Sequence, residues 1–252
     1  MAELSEIVEF LDRELNTQEI PDYPGALNGL QLESAGPVQK VVAAVDASLP
    51  VIEKAVDAGA DLLIVHHGMF WQGAQPVTRA FYQKLKIAMD AGMAIYSSHI
   101  PLDMHSVWGN NVGLAAAIGL KNPKPFFDFK GIQLGIRGQW TLGGREALHE
   151  CLEKALGGSV HLCPGGGESL GEVGIITGGA GSEVADVAKC GIDTFITGEG
   201  PHWSYSLAEE LGINLFYGGH YATEVFGVQL VAAELASKYE LDWEFVDHPT
   251  KL

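Results

Sequence analysis

Short apolar runs alternate with amphipathic segments along most of this chain. Val41 to Val45 is apolar throughout and reads as a buried strand. Asp46 to Ser48 supplies capping side chains, and Pro50 suits a helix start, where its missing N–H costs nothing. That helix runs to Ala58 with Gly59 as its stop, and Leu62 to Val65 is the next strand. The stretch is a βαβ unit whose second strand ends on His66, His67 and Gly68. Upstream, Leu4, Ile7, Val8, Leu11 and Leu15 mark one face of an N-terminal helix. Downstream, Phe81, Leu85, Ala88 and Met89 predict a helix between Ala80 and Ala91, closed by Gly92. A strand from Met93 to Ser97 then delivers His99 and Asp103. Asn111 to Ile118 predicts an alanine-rich helix, and Tyr221 to Ala236 a further one with Glu224 on its first turn.

The pattern recurs. Val173 to Thr177, a glycine-rich turn, a helix over Glu183 to Lys189, Gly191, and Thr194 to Thr197 follow the same course. At one constant offset Gly59 matches Gly191, Asp61 matches Asp193, Ile64 matches Ile196 and Gly68 matches Gly200, while His67 falls on Glu199. At a shorter offset Tyr96, His99 and Asp103 are echoed by Tyr217, His220 and Glu224. Two related α/β half-domains, residues 1–127 and 128–252, explain both echoes, with the final helix packing back on the first half. The boundary is expected in Lys121 to Lys130, where Pro123, Pro125 and three phenylalanines break regular structure. Gly165 to Gly167 lacks the Lys-Ser/Thr of a P-loop and takes no phosphate role.

With 252 residues, 47% of them hydrophobic and 19% charged, the chain can bury a substantial core. A net charge of −17 excludes broad nucleic-acid or anionic-membrane binding, though not a nucleotide substrate. Cys151, Cys163 and Cys190 show no CxxC spacing and read as small buried hydrophobes. The acidic N-terminus has no basic leader, and no apolar run approaches the roughly 20 residues of a membrane span. A cytoplasmic protein is expected.

Imidazoles and carboxylates gathered from two related halves are what a two-metal site needs, since two dications require several neutral nitrogens and a bridging anion. His66 and His67 would face opposite ways on a regular strand, but the turn at Gly68 lets both rings reach one pocket. Asp103, beyond a proline, suits a bridging ligand, or else a helix N-cap. His220 and Glu224, four apart, share a helical face about 6 Å apart, close enough to chelate. His99 fits either a ligand or a proton-transfer role. Glu199 and His202 are candidates for pocket lining or acid–base work, with capping as the alternative. His105, His149, His161 and His248 show no partner spacing and are expected at the surface or in packing. Asn28 and Gln31 suit hydrogen bonds to a base, or simply a turn and a strand surface.

The segments Asn28 to Glu33, Val45 to Ser48, Val65 to Gly68, His99 to Asp103, Thr197 to Glu199 and Gly219 to Glu224 together resemble the GTP cyclohydrolase I type 2, or Nif-three-like dinuclear-metal, family. The match runs nearly end to end and in order. It implies a two-domain α/β protomer with a dinuclear metal site between the halves. It also implies a toroidal homohexamer, a trimer of dimers. By this resemblance the five metal ligands are His66, His67, Asp103, His220 and Glu224, and His99 sits where the family has a site histidine. Longer members carry an inserted third domain, for which this chain is too short. Two departures touch pocket shape: Ile100 stands where a small polar residue is expected, and Met69 to Trp71 replace a segment that commonly carries proline.

These features predict a metal-dependent hydrolase holding two divalent ions per protomer (Zn, Fe, Mn, Co or Ni), with His99 or Glu199 moving the proton. The family name implies opening of the guanine imidazole ring with release of formate, and a two-metal site suits phosphoester hydrolysis as well. A non-catalytic ring that stores, delivers or senses a metal, or docks a partner protein, is the alternative. A plain structural α/β domain is a third reading.

Overall fold

In chain order the elements are α1 (Leu4–Glu14), β1 (Gly29–Leu32), β2 (Lys40–Asp46), α2 (Leu49–Asp57), β3 (Leu62–His67), α3 (Arg79–Ala91), β4 (Ala94–Ser97) and the single turn α4 (Ile100–Asp103). There follow α5 (Asn110–Ile118), β5 (Lys121–Phe129), β6 (Ile132–Gln139), α6 (Arg145–Leu156), β7 (His161–Pro164), β8 (Glu172–Ile175) and α7 (Val184–Lys189). The chain closes with β9 (Thr194–Thr197), α8 (His202–Leu211), β10 (Asn214–Tyr217), the turn α9 (His220–Thr223), α10 (Val225–Tyr239) and β11 (Asp242–Phe245). This computed structural model describes residues 1–251. It separates into two compact units, Met1–Leu102 with Gly227–His248, and Asp103–Phe226 with the described residues from Pro249 onward. Among the described residues no helix is long and apolar enough to cross a membrane.

The first unit is built on a sheet ordered β1-β4-β3-β2-β11. Strands β4, β3, β2 and β11 run parallel, and β1 closes one edge antiparallel to β4. The unbroken apolar runs are explained by burial on both faces, as parallel sheets require. Val42, Ala44, Leu63, Val65 and Ile95 pack with Val51, Ile52 and Ala55 of α2 and Ala88 of α3, while Val41, Ala43, Leu62 and Ile64 on the other face are equally buried. Removing one such side chain, for example Leu63→Ala, costs about 2–5 kcal/mol. Registers pair Asp46 with His67 and Val65 with Ser97, so the histidines and their neighbours gather at the carboxyl ends of β2, β3 and β4. Ligands collect at that edge of an α/β sheet.

The second unit repeats the central motif. Its sheet, β5-β6-β8-β9-β10-β7, has β8, β9 and β10 parallel at the centre, with β7 antiparallel to β10. Alternate residues divide between two cores, as period-two strands require. Ile175, Ile196 and Phe216 join Leu114 of α5 and Leu148 and Leu152 of α6, whereas Phe195 and Leu215 join Val184 and Val187 of α7 and Ala208 of α8.

Three local expectations are corrected. The stretch Lys121 to Lys130 is not an irregular linker: β5 occupies it and pairs with β6. Pro123 and Pro125 are tolerated because β5 is an edge strand, where a missing N–H costs no ladder bond. A boundary at 127/128 would cut through this strand, and the units part instead at Leu102/Asp103. Asp46 and Ser48 do not cap α2 through their side chains; the Asp46 carboxylate is taken by His67. Finally, Glu224 does not lie within one continuous helix. It sits at φ −110°, ψ 7°, at the break between α9 and α10.

Candidate metal centre

In the first unit three imidazoles converge. The His66–His67, His66–His99 and His67–His99 ring centroids are 4.7, 4.9 and 5.5 Å apart, and one ligand atom from each lies within 4.8 Å of the others. Adjacent strand residues reach one side because β3 ends at His67 and the chain turns at Gly68. A side chain at 68 would run into Gln31, whose Oε1 accepts the Met69 amide at 2.8 Å and whose Nε2 donates to the carbonyls of Ala26 and Leu27.

Each ring is oriented through Nδ1. In His66 it donates to the Ser98 carbonyl at 2.9 Å, in His67 to Asp46 Oδ1 at 2.9 Å, and in His99 to Asp22 Oδ1 at 2.8 Å. A carbonyl or an ionised carboxylate can only accept, so Nδ1 carries the proton and Nε2 presents its lone pair. Metal-binding histidines are held in this way. Asp22 is a hub, since Oδ1 also accepts the Tyr23 amide, and Oδ2 accepts Asn28 Nδ2 and the Ile100 amide. Burial would raise the Asp22 pKa, but the hydrogen bond and charge of His99, with Asn28 and Tyr23, hold it below its ordinary value. Tyr23 and Trp71 stand beside His99, with centroids 6.1 and 4.8 Å from its ring.

In the second unit the donors are two carboxylates and an imidazole. Asp103 ends α4 and is buried; its Oδ1 accepts Asn110 Nδ2 at 2.8 Å and Thr177 Oγ1 at 3.3 Å. Glu224 is buried too, and one oxygen from each carboxylate lies within 4.8 Å of the other. His220 Nε2 is 3.2 Å from Glu224 Oε2, and its Nδ1 donates to Glu199 Oε1 at 2.9 Å. Burial alone would lower the His220 pKa, but Glu224 and then Glu199 outweigh it and raise it to about 9. Two buried carboxylates this close favour a cation between them. The three imidazoles of the first unit, and separately the two carboxylates with one imidazole of the second, are donor types that suit a divalent transition metal.

Of the residues the sequence singles out, His66, His67 and His99 meet in the first unit, and Asp103, Glu199, His220 and Glu224 belong to the second. His202 and Glu199 line a common cleft, and His161, expected at the surface, lines it as well. His105 accepts the Trp108 amide and stacks on that indole, and His149 donates to the Val160 carbonyl. Asn28 and Gln31 brace loops, as a turn and a strand surface imply. Asp22 was not legible: it lies far from His99 in sequence, within Pro21-Asp22-Tyr23-Pro24, and carries no period.

The family model Duf34/NIF3 (NGG1p interacting factor 3) matches residues 2–251. The chain belongs to the DUF34/NIF3 family. It is 36% identical over 250 residues to the GTP cyclohydrolase 1 type 2 homolog of Deinococcus radiodurans, covering 98% of this chain and 94% of that one. To the Archaeoglobus fulgidus protein of the same description it is 34% identical, with 99% of each covered. Among solved structures, protein ybgI, described as of unknown function, superposes with a TM-score of 0.92 at 35% identity over 99% of this chain and 100% of that one. TTHA1606 from Thermus thermophilus gives 0.88 at 35%, with the same coverage.

Proposed function

We propose that this DUF34/NIF3 protein is a dinuclear divalent-metal protein and a hydrolase of GTP cyclohydrolase 1 type 2 kind, acting on a nucleotide-like small molecule. His66, His67, Asp103, His220 and Glu224 are its metal ligands. The observation that carries this reading is the shared orientation of His66, His67 and His220, each with Nδ1 on a fixed acceptor, which leaves Nε2 as the atom to ligate. These five residues would hold divalent ions, which when bound would supply Lewis acidity and lower the pKa of water. His99, held by Asp22, moves a proton at Nε2. Glu199 fixes His220 through Oε1 and offers its other oxygen as a proton acceptor. The names of the relatives support the GTP cyclohydrolase reaction, and the end-to-end family match supports a toroidal homohexamer.

The test is formate release from GTP by protein stripped of metal and by protein reconstituted with Zn, Mn or Fe. Formate appearing only after reconstitution supports the hydrolase. Reconstituted protein that holds its metal but yields no formate would contradict the proposed reaction and favour the storage or regulatory reading.

A further inference from the structure

Metal ligation leaves one well-formed feature of the second unit without a role. A cleft of about 560 Å³ is walled by His161, Glu199, Gly200, His202, Tyr205 and Tyr217. That volume lies in the range of small-molecule sites. His161 reaches it from β7, with its ring centroid 5.7 Å from Tyr205 and 6.1 Å from Tyr217 at interplanar angles of 38° and 27°. The wall is braced. Tyr217 and Ser204 hydroxyls are 2.6 Å apart, and a Cβ on Gly200 would lie 2.7 Å from Gly181 Cα and 3.1 Å from the Tyr217 ring. Close packing therefore requires glycine at 200 and fixes where Glu199 stands. The Glu199 side chain, 46% exposed, binds His220 through Oε1 and lines the same cleft.

We propose that this cleft is a subsite for a planar heteroaromatic ring with adjacent N–H donors of the cyclic-amidine type. The ring stacks against the His161–Tyr205–Tyr217 wall and turns its donor edge to Glu199. Aromatic faces bind flat rings through offset or edge contacts, and a carboxylate accepts two neighbouring N–H groups at once. One residue, Glu199, then links ring recognition to the orientation of His220. Placing the ring beside a reactive centre rests on the proposed metal-site reading; ring binding itself does not.

The probe is 2-aminobenzimidazole, with benzimidazole as the comparator lacking the second donor, titrated calorimetrically into the full-length protein. We expect saturable 1:1 binding of the amino compound, weakened about tenfold by His161→Ala and by Tyr205→Ala at unchanged metal content. Glu199→Gln should erase the preference over benzimidazole. Glu224→Ala, aimed at the metal, should leave ring affinity intact, so loss of metal and loss of the ring site are read separately. No saturable binding, or affinity unchanged in both His161→Ala and Tyr205→Ala, overturns the subsite. Equal affinity for the two probes overturns the role of Glu199.

Discussion

The rings of His66, His67, His99 and His220 take their orientation from the acceptors behind them, at Ser98, Asp46, Asp22 and Glu199. Asp22 has the largest structural share, because its two oxygens hold the 22–28 loop and the His99–Ile100 turn together. Asp22→Ala is therefore expected to lower stability by about 2–3 kcal/mol, measured by urea unfolding. His220 makes a second prediction. Its pKa, raised to about 9 by the carboxylates on its two nitrogens, contributes stability to the metal-free protein. That contribution is complete below the unfolded value near 6.5 and disappears as pH rises through about 9. Chemical denaturation of chelator-treated protein should show a decline of a few kcal/mol at most across that window. A flat profile would contradict the paired-carboxylate geometry.

Elements position these residues through turns as much as through strands. Gly178, which follows β8, has φ +71°, and a Cβ there would collide with Glu224 Oε1. Gly178→Ala should therefore displace Glu224 and lower metal content. Gly179→Ala, whose nearest neighbour is the His220 ring at 3.6 Å, should be tolerated; elemental analysis of the two variants checks the contrast. The repeated βαβ core was readable directly from apolar runs and glycine stops, because fully buried parallel strands leave no polar face. The edge strand β5 was not, since its prolines and exposed lysines mimic a linker until the neighbouring β6 is known. Nor was the break at Glu224, which depends on backbone angles that no hydrophobic period encodes. The candidate donors His99, Asp103, His220 and Glu224 were legible because the two halves echo each other, and His66 and His67 because they end an apolar strand; the acceptor Asp22 was not, and Asp46 read as a helix cap.

At the scale of the whole molecule, the proposed toroidal homohexamer makes a direct prediction. Light scattering should give six chain masses, and a monomer would contradict the toroidal reading. Against the net charge of −17, the proposed cation site would be a local exception, suited to an anionic substrate. The central claim is most directly tested by metal content per protomer, measured by elemental analysis of the native protein and of the His67→Ala and Glu224→Ala variants. The account predicts close to two divalent ions natively and a sharp fall in each variant. Native protein that stays metal-free after incubation with Zn, Mn and Fe would contradict it.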